Sequence, residues 1–463
     1  MFIIDEKSKT PLYIQLYNEI KNDIIKNYKK GDKLPSTRKI SSLYNLSKNT
    51  VKNAYSQLEV EGYIDGCPQS AFIVTDTINL SFDKNPSSDN FNLNKNTTKE
   101  PKKYLYDFFP ACLEKDSFPL KTWKKIFNKV VDSSIDFGKY ACGQGEFGLR
   151  SEISKYLNQY RAVKCDAKQI IICNGFADSM GLLARILKND FHIFASENPG
   201  YYLGQQVFDD YGYKIEKIGI DENGLNINNL KKTKAKLIYI TPSHQYPTGV
   251  LMPINNRQKL IEWANAENGL IIEDDYDSEL RYSSRPIPSL QGLDSNDKVI
   301  FLGTFSKSLS PALRISYIVL PNHLLCLYEK CFDADIGRVP LMMQKTLEIF
   351  LKEGHWDRHL RKIRTLNQKK HNLMKKLLEQ KLGNTVKIEN QGGGLAIFIN
   401  PLPKFDWGLL KKLAEENKLK LYFAKKCTGG EWEAIQMGFG GLKENEIEDA
   451  INIFSKIWKI CIL

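Results

Sequence analysis

Apolar residues recur every three to four positions from Pro11 to about Lys26. Leu12, Ile14, Leu16, Ile20 and Ile24-Ile25 share one side, which predicts an amphipathic helix. Gly31-Asp32 ends it. Leu34-Pro35-Ser36-Thr37-Arg38 reads as a second helix start, with Ser36 as N-cap and Ile40, Leu43 and Leu46 on the apolar side. After a tight turn at Tyr44-Asn45-Leu46-Ser47, a third helix runs from Lys48 to Glu61, capped by Ser47 and burying Val51, Tyr55 and Leu58. Gly62 stops it, and Tyr63–Gly66 with Ala71–Val74 reads as a two-stranded hairpin.

The pattern fades between Ile78 and Pro101, where six asparagines mix with Ser, Thr and Lys. Such a stretch buries too little apolar surface to offset its ordering entropy and is expected to be a flexible linker. Beyond it, short continuous apolar runs alternate with helical stretches: Ile170–Cys173, His192–Ala195, Leu237–Ile240, Leu270–Glu273, Val299–Leu302 and Ile315–Leu320. That alternation predicts an α/β domain with a mainly parallel sheet. Leu341 to Leu378 reads as one long or broken amphipathic helix. The last third, with Gly392-Gly393-Gly394 leading into Leu395–Ile399, reads as a smaller α+β subdomain. The expected division is residues 1–76, a linker over 77–103, and a body over 104–463 whose small subdomain covers about 340–463.

Charge sharpens the picture at the N-terminal end. The 463-residue chain carries a net +12, and residues 21–52 hold nine Lys/Arg against two Asp, a net +7. Two short helices on a tight turn followed by a hairpin make a winged helix-turn-helix, and its cationic face suits double-stranded DNA. Ser47, Lys48 and Thr50 then start the helix that enters the major groove, and Arg38 and Ser36 meet a neighbouring phosphate. A small three-helix protein-binding module shares the pattern. No apolar run is long enough to span a bilayer, so no membrane partner is expected, and the acidic start Asp5-Glu6 is unlike a signal peptide. Nine scattered cysteines without a C-x-x-C pair fit a reducing cytoplasm better than disulfides or zinc, and no metal site is expected.

Polar residues cluster where the apolar runs end. Gly303-Thr304-Phe305-Ser306-Lys307 follows one of them, with Arg314 close behind; an amine in a dry site beside another cation deprotonates more readily and attacks a carbonyl. Asn174-Gly175-Phe176 follows another run as a glycine turn feeding a helix, a ready anion cradle. Glu197 to Tyr201, Thr241 to Gly249 (with His244) and Asp274-Asp275-Tyr276 follow three more. Taken singly, each has a structural explanation: a solvated lysine, a loop acid, a packing tyrosine, a turn-capping histidine. Together they supply an amine, an acid, an aromatic plate, a phosphate cradle and a cation, each at a strand end, which is what pyridoxal 5′-phosphate (PLP) requires.

Two resemblances support these readings. Leu34-Pro-Ser-Thr-Arg38, Ser47-Lys-Asn-Thr-Val51 and Glu61-Gly62-Tyr63 resemble the GntR-family DNA-binding domain; the wing, Asp65 to Ala71, departs from that family by lacking a Gly-Ser-Gly-like tip with a basic residue nearby. From about Tyr104 onward the chain resembles fold-type I PLP aminotransferases. The whole resembles a MocR/GabR-type regulator through Gly303 to Arg314, His244-Gln-Tyr-Pro-Thr-Gly249 and Glu273-Asp-Asp-Tyr-Asp-Ser-Glu279. The resemblance implies Lys307 as the Schiff-base lysine, Asp274 on the pyridine nitrogen, Tyr276 at the ring hydroxyl and Tyr201 stacked on the ring, with His244 nearby. It further implies Thr304, Arg314 and the Gly175-Phe176 turn at the phosphate, and Tyr140 reaching the site of a second subunit in a homodimer. Three positions depart from the pattern: Ala177 where a glutamine is common, Leu203 where an arginine can follow the stacking tyrosine, and Gln436 where a carboxylate-binding arginine precedes a Leu-Gly-Phe-like run. The expectation is a DNA-binding transcriptional regulator that senses an amine, or PLP itself, through Lys307, with at most weak transaminase activity. A working aminotransferase carrying a DNA-binding head and a DNA-binding scaffold with a dead PLP fold are the alternatives.

Overall fold

A computed structural model describes residues 2–5, 8–66, 72–76, 103–133, 135–136, 138–282, 287–332, 337–389, 392–424 and 434–463. The expected wing tip at Cys67–Ala71 and the expected linker up to residue 102 lie outside the described residues. The chain divides into two compact units, Met1–Pro101 and Lys102–Leu463.

In the first unit, α1 (Leu12–Asn27), α2 (Thr37–Leu43) and α3 (Lys48–Val60) precede the hairpin β1 (Ile64–Gly66) and β2 (Phe72–Val74). Both serine caps form. Ser36 accepts the Lys39 N–H, and Ser47 accepts the Thr50 N–H at 3.1 Å. The apolar stripes meet in one core of Leu16, Ile20, Ile40, Val51, Leu58 and Ile64 among others. Residues 31–34 bond along β2, Leu34 N–H donating to Phe72 C=O, so the hairpin gains a third extended segment.

The second unit opens with a short strand, β3 (Tyr106–Asp107), and is built on an eight-stranded sheet. In chain order its strands are β4 (Ile170–Cys173), β5 (Ile193–Asn198), β6 (Lys214–Asp221), β7 (Gly224–Leu225), β8 (Leu237–Ile240), β9 (Leu270–Asp275), β10 (Val299–Thr304) and β11 (Ser316–Val319). In space they run β4-β11-β10-β9-β8-β5-β6-β7. β10, β9, β8, β5 and β6 are parallel neighbours, while β11 lies antiparallel between β10 and β4. Side chains alternate between two covered faces: Leu270 and Ile272 of β9 enter one core and Ile271 another. This mixed, mainly parallel sheet matches the expected α/β class. β6 was not foreseen, because its Lys214-Ile-Glu-Lys217 start has the alternation of a half-covered outer strand rather than a continuous apolar run.

Of the two forms expected for Leu341 to Leu378, one long helix or a broken one, the broken one is observed. Leu341–Lys352 and His355–Leu382 meet at Gly354, whose φ of 68° no helix continues through. The small subdomain carries a four-stranded sheet in the order β12 (Val386–Glu389), β13 (Ala396–Pro401), β16 (Ala434–Gly438) and β15 (Tyr422–Ala424). The preceding β14 (Leu419–Lys420) pairs in parallel with β3. Helices His355–Leu382 and Glu444–Ile460 cover one face of the four-stranded sheet in a single apolar core.

Candidate cofactor and effector site

The parallel strands end on one edge of the large sheet, and the antiparallel insertion of β11 brings its beginning to that same edge. Ser316 pairs with Cys173, so Arg314 comes to lie beside the Asn174-Gly175 turn. There the fit is close: a Cβ on Gly175 would fall 2.1 Å from a guanidinium nitrogen of Arg314. Gly175, at φ 81° and ψ 176°, starts the helix Phe176–Leu187, whose first N–H groups are left without intrahelical partners. A guanidinium over a helix N-terminus is an anion cradle, and this one has room only because position 175 lacks a side chain. Thr304, at the end of β10, accepts the Ser306 N–H at 3.1 Å next to it.

Two-residue periodicity sorts the three consecutive acids of β9. Glu273 and Asp275 turn to one face. There Glu273 accepts the Leu290 and Gln291 N–H groups, and Asp275 pairs with Arg161 at 2.7 Å. Asp274 turns to the other face, 6% exposed, and accepts the Tyr239 hydroxyl at 2.6 Å. Burial pushes the Asp274 carboxyl up to about 7; the Tyr239 hydrogen bond works against that rise, and Asp275 and Asp277 add to it. Lys307 is half-buried, and loss of hydration lowers its pKa, with Asp277 and then Asp274 partly offsetting the fall. The lysine and Asp274 thus lie within electrostatic reach of each other.

Aromatic rings fill the space between cradle and acid. Tyr201 meets Phe176 edge-on at 5.0 Å and Tyr246 at 5.4 Å. Burial raises the Tyr201 pKa; Asp274 raises it further and Arg314 lowers it, as befits a ring set between the two. Tyr276 donates its hydroxyl to the His244 carbonyl at 3.0 Å, and His244 Nδ1 lies 2.8 Å from Asp277. Tyr246 also meets Phe398 of the small subdomain at 6.2 Å. Gln436 pairs with Phe398 across β13 and β16, so it shares that inward face, 7% exposed. Tyr140 stands 84% exposed on the surface.

Lys307, Asp274, Tyr276, Tyr201, His244, Gly175, Phe176, Thr304 and Arg314 are therefore gathered at one sheet edge, and Tyr140 is apart from them. Glu197, Tyr246 and Asp277 stand in the quoted motifs without an assigned role, and Tyr239 is unassigned within its apolar run. Tyr239 carried a signal: a hydroxyl inside the apolar run Leu237–Ile240. Glu197 is buried, with its carboxyl pushed up to about 7 by that burial; Oε2 accepts from Thr241 and Gln245, and Oε1 has no hydrogen-bond partner among the described residues. In the first unit Arg38, Ser36, Ser47 and Lys48 are exposed and Thr50 half-buried, with Ser47 and Thr50 hydroxyls 2.8 Å apart.

The large mixed sheet with a smaller α+β subdomain is the architecture of aminotransferases. Solved structures agree: the multiple substrate aminotransferase of Thermococcus profundus superposes with a TM-score of 0.69 at 24% identity, over 78% of this chain and 92% of that one. The Pyrococcus horikoshii kynurenine aminotransferase gives 0.70 at 23%, over 78% and 92%. The family model for aminotransferase class I and II matches residues 111–427, and that for bacterial regulatory proteins of the gntR family matches 12–74. Over 97% of both chains the sequence is 34% identical to the HTH-type transcriptional regulator YdeL of Bacillus subtilis (strain 168). It is 30% identical to the regulatory protein MocR of Rhizobium meliloti, over 86% of this chain and 83% of that one. The chain belongs to the MocR-type family of HTH-type transcriptional regulators, a gntR-family head joined to an aminotransferase class I and II body.

Proposed function

We propose that the protein is a DNA-binding transcriptional regulator whose body holds PLP at Lys307 and senses either an amine or PLP itself. The observation that carries this reading is the pairing of a lysine made easier to deprotonate with a buried acid at one end of an aromatic slot that has an anion cradle at its other end. The residues present fit the cofactor. Gly175 leaves a space that a Cβ would fill, Arg314 covers it, and Asp274 is a buried carboxyl held by Tyr239 within electrostatic reach of Lys307. When bound, PLP supplies an aldehyde for amines and an electron-withdrawing ring.

The chain's own residues have distinct parts. Lys307 offers a neutral amine to the aldehyde carbon, because burial disfavours its ammonium form. Asp274, held in place by Tyr239, would sit at the ring nitrogen and, as a carboxylate, stabilise its protonated form. Arg314, Thr304 and the N–H groups of the Gly175-Phe176 turn take the phosphate. Tyr201 would cover the ring face, and Tyr276, oriented by His244, would stand at the ring hydroxyl. Tyr140 is available to the site of a second copy in a homodimer. In the head, Arg38, Ser36, Ser47, Lys48 and Thr50 face double-stranded DNA.

Gln436, on the inward face where an arginine would clamp a carboxylate, favours regulation over efficient transamination, since an amide forms no charge-assisted bidentate pair. The test is a spectral titration of the full chain with PLP and candidate amines, read against operator binding and against steady-state turnover. Absorbance near the visible edge, together with an effector-dependent change in operator affinity, is expected. Turnover on the order of the ~10 s⁻¹ typical of enzymes would make the chain primarily an aminotransferase.

A further inference from the structure

The body begins with a segment that folds as part of its far end. Leu105 N–H donates to Lys418 C=O at 2.8 Å, Phe108 N–H to Lys420 C=O at 3.1 Å, and Gly438 N–H to Phe108 C=O at 3.1 Å. Phe108 is fully buried in the small-subdomain core, and Phe109 packs edge-on against Tyr422 at 5.1 Å. The chain then crosses the Gly438-Phe439-Gly440-Gly441 turn at backbone contact. A Cβ at Gly438 would lie 2.3 Å from the Phe109 carbonyl oxygen, and one at Gly440 would lie 2.4 Å from that of Cys112. Such spacing leaves no room for sliding.

Its end is anchored by an ion pair between a half-buried glutamate and a buried lysine. Lys370, 1% exposed, binds the Glu114 carboxylate and also donates to the Gly440 carbonyl at 3.3 Å, holding segment and turn together. Between those anchors Cys112 comes within electrostatic reach of Lys307. The same ten residues therefore follow closely on the boundary with the DNA-binding unit, pack through Phe109 on Tyr422, which pairs with Gln436 of the inward-facing strand, and bring Cys112 within electrostatic reach of Lys307.

Resting on the function proposed above, we infer that Leu105–Glu114 is a strap that carries occupancy of the Lys307 site to the connection with the DNA-binding unit. A ligand can shift an equilibrium only by interacting differently with its two states. Cys112–Glu114 is where this strap would meet such a ligand, and the Gly438–Gly441 contact makes strap and subdomain move as one piece. The coupling to DNA is then lost if the strap's end is released, even though both sites remain intact.

The test uses the full-length protein with PLP as the probe. Amide hydrogen exchange over residues 103–114 and peptide-level alkylation of Cys112 are measured with and without PLP. Both are expected to slow several-fold on loading; no change in either overturns the strap. Lys370→Met is expected to keep the Lys307-dependent absorbance and basal operator affinity while losing the PLP-dependent change in operator affinity, and Lys370→Arg to restore much of it. A Lys370→Met protein that responds like wild type also overturns the inference, and should the variant not fold, the wild-type exchange and alkylation decide alone. Absence of absorbance in the wild type would instead remove the cofactor reading itself, so the two failures are distinguishable.

Discussion

Gly175 and Arg314 occupy one another's space: with any side chain at 175, the guanidinium could not lie where it does, 2.1 Å from the position of a Cβ. The backbone reinforces this, because φ 81° with ψ 176° lies in a region that side-chain-bearing residues enter at a cost of about 1–3 kcal/mol. Gly175→Ala is therefore expected to lower the thermal midpoint and to weaken PLP binding about tenfold or more. That loss corresponds to one charge-assisted hydrogen bond of ~1.5–3 kcal/mol. Absorbance titration with PLP checks it, and unchanged affinity would show that the cradle lies elsewhere.

The buried acids give the apo protein a defined pH response. Burial raises Asp274 from 3.8 to about 7, and Glu197 and Glu279 from 4.5 to about 7. Between those values the native state holds protons that the unfolded chain has released. The contribution of these acids to stability is accordingly complete below the unfolded values and is lost as pH rises towards 7, while His359 and His371, whose pKa burial lowers, contribute with the opposite sign. Thermal melts of apo wild type and Asp274→Asn between pH 5 and 8 isolate the Asp274 share of this decline as the difference between the two proteins. Asp274→Asn should make it shallower, leaving the share of Glu197 and Glu279, and PLP should reduce it too by giving the Asp274 carboxylate a cation. A decline that Asp274→Asn leaves unaltered would contradict the burial assigned to that carboxyl.

In the head, cap and charge make separable contributions. Ser47→Ala removes the acceptor for the Thr50 N–H and should cost about 1 kcal/mol of head stability. Lys48→Ala should leave stability nearly unchanged, weaken binding to all DNA sequences alike, and reduce the slope of log affinity against log salt by about 1. Filter-binding or anisotropy titrations at several salt concentrations distinguish the two, and a slope unaffected by Lys48→Ala would exclude it from the DNA backbone.

The head was legible almost residue by residue, because its helices are short, amphipathic and capped by serines whose role is local. The body's central strands were legible for a related reason: strands covered on both faces read as unbroken apolar runs, and the polar residues after them stand out. What stayed hidden depends on pairing rather than order. Nothing in the sequence says that β11 runs antiparallel between β10 and β4, which is what lays Arg314 on Gly175. Nor does it say that Tyr239 will face Asp274 across β8 and β9, or that Leu105–Glu114 will join the small subdomain from the opposite end of the body.

The central claim is that one amine, at position 307, links small-molecule binding to DNA binding. The most direct measurement is operator affinity of wild-type and Lys307→Ala proteins across a PLP titration, with absorbance recorded on the same samples. In the wild type, absorbance near the visible edge should rise together with a shift in operator affinity of about 5- to 150-fold, the range of a 1–3 kcal/mol coupling. Lys307→Ala should match the basal affinity, gain no absorbance and show no shift. A Lys307→Ala protein whose operator affinity still responds to PLP as the wild type does would contradict the account.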